Sequence, residues 1–318
     1  MNGKTKADYI KLATYFIQAR LLDKGIDPTE KNIRQALLAC AVEYRPAYWR
    51  RLRGAIVTQQ IEAGFAKTAG SLKLLSNPVT RPDARDELKA QKKLKQKRCK
   101  TVKKAEHLLL KNHIKQNRDR PLLAILDLAL ILGCRPIEMM TLQVRGHDQI
   151  VITGAKKTAN GLRGLDRTVT LSAIEFTNVN KARLELLEYQ TAKQLSPEQL
   201  QKRLQRRLAT ATKQLWPRRK HKITLYSYRH LMGSALKKSG IGRKEIAAIM
   251  GHQSVDSVDV YGNRMRKTQR KPSISATSGS IQSVRKTMRH HPEFLENKQV
   301  ARDKEKTSTI HVKRTLRR

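Results

Sequence analysis

Apolar positions recur at helical spacing along most of this chain and at strand spacing in only two short places. Tyr9, Leu12, Ala13, Phe16 and Ile17 share one helical face near the N-terminus. Asp27-Pro28-Thr29-Glu30 carries the residues of a helix start, with Asp27 as the expected cap, and Ile33, Ala36, Leu37 and Cys40 follow as its apolar face. A third helix is expected through Trp49, Leu52, Ile56 and Ile61, with Arg50, Arg51 and Arg53 on its polar side. Pro78 and Pro82 then interrupt regular structure, and the run KAQKKLKQKRCKTVKK follows. Like-charged blocks of this kind are solvated linkers or tails.

The pattern resumes with PLLAILDLALILG, a buried helix ending at Gly133, and Pro136 opens another with Arg135 at its N-terminal edge. Two short alternating segments, Ile150 to Thr153 and Arg167 to Leu171, predict a β-hairpin around GAKKTANGLRGLD, which brings Lys156 and Lys157 near its turn. Ser196-Pro197 starts a helix with a stripe of Leu200, Leu204, Leu208, Ala211 and Leu215. Two further short helices are expected between Thr224 and Tyr261. Beyond them, Arg264 to Arg318 is rich in Ser, Thr, Lys and Arg, and only a short helix near Ile281 to Met288 is expected. The fold class is mainly α with a small β-hairpin or sheet. The expected organisation is a helical domain over 1–76, a basic linker over 77–119, a second domain over 120–264 and a basic tail over 265–318.

Charge changes the picture most. Sixty-seven Lys and Arg stand against 26 Asp and Glu, a formal charge of +41. Such a chain repels itself and seeks polyanions, and nucleic acid is the commonest. Aromatic residues make up only 4%, so backbone phosphates rather than stacked bases are the expected contacts. Arg50, Arg51 and Arg53 in the first domain, and Lys93, Lys95, Lys97 and Arg98 in the linker, are the candidate DNA-binding residues. No basic amphipathic anchor, signal peptide or span-length apolar run is found, so no membrane partner is expected. Cys40, Cys99 and Cys134 are far apart and odd in number, which argues against both a disulfide framework and a zinc site.

The candidate chemistry lies between Thr224 and Tyr261. Arg229-His230 precedes Gly251-His252 by a fixed interval, and Tyr261 follows nine residues after His252. A phenol is a weak nucleophile near neutrality because its pKa is about 10. Attack on phosphorus therefore needs concentrated positive charge around the phosphorane. Arginine supplies it through a planar fork that never loses its proton, and Arg135 and Arg229 arrive from separate segments. His252 adds a hydrogen bond, and a hairpin lysine can protonate the departing 5′ oxygen. No metal or cofactor is required.

These residues resemble the tyrosine recombinases, the phage-type integrases. GCRPIEMMTL, through Arg135 and Glu138, is similar to the family's first box, and the Arg-His, Gly-His and Tyr spacings match its second. The resemblance covers about 120–264. It implies that Arg135, Arg229 and His252 bind the scissile phosphate and that Tyr261 forms a 3′-phosphotyrosyl bond. The family's hairpin lysine falls on Lys157, with Lys156 the alternative. Tyr226 stands where the family has His or sometimes Lys, and His230 is expected to support the site from outside it. The resemblance further implies a DNA clamp of two domains, tetramers on paired double-stranded sites, a Holliday junction, a cytoplasmic bacterial setting and an accessory bending or excision factor. An inactive DNA-binding protein of the same fold and a type IB topoisomerase are the competing readings.

Overall fold

The computed structural model describes residues 1, 3–94, 99–155, 164–260 and 273–286, and the chain divides into two units, Met1–Lys97 and Arg98–Arg318. The first unit is helical: α1 (Gly3–Arg20), α2 (Glu30–Ala39), α3 (Pro46–Glu62), α4 (Ala66–Lys73) and the short α5 (Asp86–Ala90). Ala13, Phe16, Ile33, Leu37, Trp49, Leu52 and Ile56 form its core, and the Trp49 indole donates to the Leu37 carbonyl at 2.7 Å. Two expectations need correction. The cap of α2 is Thr29 rather than Asp27, because Thr29 Oγ1 accepts from the Asn32 amide while Pro28 lies ahead of the helix. Ile61 is exposed, since it falls on the helix flank that Trp49, Leu52 and Ile56 leave to solvent.

The second unit is built around α7 (Arg120–Leu132), where Leu122, Ile125, Leu126, Leu128, Ala129 and Leu132 are buried. Asp119 caps its start by accepting from the Leu122 amide at 3.0 Å, and Gly133 ends it in the left-handed region (φ 55°). Packed with it are α6 (Lys104–Gln116), α8 (Ala173–Ala192), α9 (Pro197–Leu215) and α10 (Leu225–Lys238), and α11 (Arg243–Met250) packs against α10. Ser196 and Gln199 cap α9 reciprocally, and its apolar stripe of Leu200, Leu204 and Leu208 joins the core. Short 3-10 turns run over Pro136–Met140 and Val255–Val260.

The sheet has four antiparallel strands in sequence order: β1 (Gln143–Arg145), β2 (Gln149–Ile152), β3 (Arg167–Leu171) and β4 (Ile274–Ala276). The expected hairpin is β2 with β3, in a register that sets Ile150 opposite Val169 and Ile152 opposite Arg167. The stretch read as linker over 77–119 holds α6, whose Leu110 and Ile114 are fully buried in the second unit's core. Those two apolar residues outweigh the surrounding lysines, of which Lys111 pairs with Asp127 at 2.6 Å. Part of the stretch read as tail also joins the second unit. Ile274 and Ala276 are buried as β4 joins β3, and the short helix α12 spans Ser278–Gln282, earlier than expected.

Candidate active site

Two helix ends create the site. Helix α7 ends at Gly133 and α11 ends at Gly251 (φ 63°), so both leave C-terminal carbonyls without helical donors. Arg229, on α10, reaches both: Nη1 donates to the Gly133 carbonyl at 3.0 Å and Nη2 to the Met250 carbonyl at 2.6 Å. A cation at a helix C-terminus also meets the negative end of the helix dipole. Arg229 Nη2 lies 3.1 Å from His252 Nε2. An arginine only donates, so that nitrogen accepts and the neutral ring carries its proton on Nδ1. Arg229 has no exposed surface, and His252 is 4% exposed.

Arg135 begins the 3-10 turn that follows α7. Its backbone amide donates to Glu138 Oε2 at 2.9 Å and its Nη1 to Glu138 Oε1 at 2.6 Å, while Nη2 reaches the Gly251 carbonyl at 3.3 Å. The anion at this turn's start is thus the chain's own carboxylate. Glu138 Oε1 also accepts from the Ala155 amide at 3.2 Å, and Oε2 from Arg167 Nη2 at 2.9 Å. Burial alone would raise the Glu138 pKa strongly. The Arg167 and Arg135 charges and the bonds they donate win, holding it down to about 2. Burial also dominates at His252, and Arg229, Arg135 and Arg167 push the same way, so its pKa falls to about 2 and the ring stays neutral.

Tyr226 is half-buried on α10, three residues before Arg229 and so on the same side of the helix. His230 is also half-buried. Lys156, Lys157 and Tyr261 lie outside the described residues, as do Lys95, Lys97 and Arg98 in the linker. In the first unit Arg50 and Arg51 are exposed on α3, and Lys93 is exposed. Arg53 is committed internally: it donates to the Leu75 carbonyl and stacks over Trp49 with 5.8 Å to the ring centroid. Among the described residues no cluster of His, Cys, Asp or Glu could hold a metal ion, and no helix is long and apolar enough to cross a membrane.

Arg167 escaped the sequence reading. The signal was present, since strand alternation puts residue 167 in line with Val169 and Leu171, whose side chains face the core. A cation in that row must have partners inside the protein. Its guanidinium packs directly beneath Gly251, where a Cβ would come within 2.7 Å of Arg167 Cζ. Gly251→Ala is therefore expected to lower stability by about 2 kcal/mol, combining a left-handed alanine with displacement of a pinned arginine. Urea unfolding at neutral pH checks this, and a change within experimental error would show that the turn relaxes freely.

The phage integrase family model matches residues 100–268. Among solved structures, a lambda integrase dimer bound to a COC′ core site is similar at 16% identity and a TM-score of 0.53, over 85% of this chain and 75% of that one. A lambda integrase tetramer bound to a Holliday junction gives 16% identity and a TM-score of 0.52 over the same shares. No curated protein sequence matches. The chain belongs to the phage integrase family of tyrosine recombinases.

Proposed function

We propose that this chain is a site-specific recombinase that cuts and rejoins double-stranded DNA through a 3′-phosphotyrosine at Tyr261. The observation that carries the proposal is the convergence of Arg135, Glu138, Arg229 and His252, drawn from three separate segments into one buried, positively charged cluster. In this mechanism Arg135 and Arg229 bind the non-bridging oxygens of the scissile phosphate and stabilise the phosphorane. Neutral His252, whose Nε2 accepts from Arg229, donates one hydrogen bond through Nδ1–H but holds no extra proton to transfer near pH 7. The acid that protonates the 5′ oxygen is Lys157, with Lys156 the alternative. Tyr226 replaces the family's histidine and contributes a hydrogen bond rather than a proton shuttle. The bond energy stays in the phosphotyrosine, so no cofactor is consumed.

The helical first unit is the second half of the proposed DNA clamp, with Arg50 and Arg51 against the backbone and Lys93, Lys95, Lys97 and Arg98 neutralising phosphates. A phage or other mobile element is the proposed source. The solved relatives act as a dimer on a core site and a tetramer on a Holliday junction, which supports tetrameric assembly here. An accessory DNA-bending or excision factor belongs to the same proposal.

Adduct capture tests it. Wild type and Tyr261→Phe are incubated with DNA from the source organism, stopped with detergent, and the covalently held DNA is sequenced. Wild-type adducts clustered at one locus and absent from the variant are the expected result. Scattered adducts would favour a topoisomerase. Tight binding without adducts, on nicked substrates as well, would leave an inactive DNA-binding protein.

A further inference from the structure

We propose that Arg167 is a positioning residue for strand cleavage: it ties the Glu138 carboxylate to the Ile249–His252 turn, so that Arg135 and His252 face one phosphate in a fixed register. The inference rests on the phosphodiester-cleaving reading of the site.

Arg167 is 2% exposed, and its planar fork spans two elements. Nε donates to the Ile249 carbonyl at 2.8 Å, at the end of α11, and Nη2 donates to Glu138 Oε2 at 2.9 Å. Leucine in this row would continue the alternation of Val169 and Leu171 without the several kcal/mol needed to desolvate a guanidinium. What arginine adds is direction, since two donors in one rigid plane fix the separation of the groups they bind.

Glu138 carries that direction onward. Its two oxygens accept four donors: the Arg135 amide, Arg135 Nη1, Arg167 Nη2 and the Ala155 amide. Four donors fill the lone-pair sites of a carboxylate. Ala155 follows β2 by three residues, so the same carboxylate also holds the chain that leaves this strand of the hairpin. On the other side, the carbonyl that Arg167 holds is three residues before His252. Arg167 and Glu138 therefore connect the first arginine, the hairpin and the Gly-His turn. Arg167 itself is enclosed beneath Gly251 and is not a group that touches DNA.

The test uses the full chain with Arg167→Gln, Arg167→Met and Arg167→Lys. Two measurements are made on protein shown to be folded by its melting curve. One is the tautomer of His252, read by nitrogen NMR of histidine-labelled protein without DNA. The other is the rate of covalent adduct formation on DNA captured by the wild type, alongside affinity for that DNA. The wild type is expected to show the proton on Nδ1. The Gln and Met variants are expected to show a changed or mixed tautomer, with adduct formation slowed about 100-fold, the scale set by a misplacement of about 1 Å. Affinity is expected to stay within about threefold, and Lys, which restores a single charged donor, is expected to recover part of both signals.

Folded Gln and Met variants with a wild-type His252 signal and wild-type adduct rate would overturn the proposal and leave Arg167 a merely structural residue. If the wild type forms no adduct with any DNA, the recombinase reading fails by itself, and the His252 signal still decides whether Arg167 sets the turn. Variants that do not fold under any condition, Lys included, would also overturn it, because a positioning role requires a folded chain without the register.

Discussion

Arg229→Lys is expected to slow adduct formation by about 1,000-fold and to lower stability by about 3 kcal/mol. The first figure is the scale of losing a preorganised donor at the charge that develops on the phosphorane. Lysine keeps the charge but offers a single compact head, which cannot reach the Gly133 carbonyl, the Met250 carbonyl and His252 Nε2 in one plane. The second figure follows from burial. Arg229 has no exposed surface, so at least one of those acceptors is left without a donor at about 1–3 kcal/mol each. Urea unfolding and single-turnover adduct formation measure the two effects separately. A variant as stable as wild type would show that the two helix ends do not depend on Arg229.

Glu138→Gln is expected to be the other severe change, lowering stability at pH 7 by about 4 kcal/mol. Breaking a buried ion pair from one side leaves its partners charged and uncompensated, here Arg135 and Arg167 together. The loss is expected to depend on pH with a definite sign. The Glu138 pKa is depressed to about 2 in the folded chain, so its contribution is complete above the ordinary glutamate value and fades as pH falls toward 2. The gap between wild type and Glu138→Gln should therefore narrow only below about pH 4.5. His252 adds a separate limb. Its folded pKa is also depressed to about 2, so an unfolded chain takes up its proton below about pH 6.5 while the folded one does not, and both proteins lose stability through that range. Unfolding curves at pH 7, 5.5 and 3.5 check this. A gap that stays constant down to pH 3.5 would mean that Glu138 is not the charged anchor described.

Much of the second unit was legible from sequence because its strongest signals are local. Helix α7 has a cap, a continuous apolar face and a terminal glycine, and the box residues are recognisable by type and interval. What sequence missed was set by long-range packing. Strand β1 is three exposed residues with no alternation to detect, and β4 is three residues in a polar tail, marked only by the burial of Ile274 and Ala276 against β3. Helix α8 went unread because only Val179, Ala182 and Leu186 of its 20 residues are buried. Helix α6 was hidden by lysines that outnumber Leu110 and Ile114. In the site, Arg135, Glu138, Arg229 and His252 could be named from sequence, but not the bonds between them. Arg167 could be seen only by asking what a cation does in a row of core-facing residues.

The three arginines of the cluster are held mainly by peptide oxygens. Gly133, Ile249, Met250 and Gly251 each give a carbonyl to one of them, and the Glu138 carboxylate pairs with Arg135 and Arg167. A carbonyl dipole orients a guanidinium without cancelling its charge, and a carboxylate does both. The fold thus fixes three cations in place with backbone dipoles as well as with a carboxylate. That placement belongs to the way α7 and α11 end. In the proposed mechanism an incoming phosphate meets guanidinium groups that are already in place.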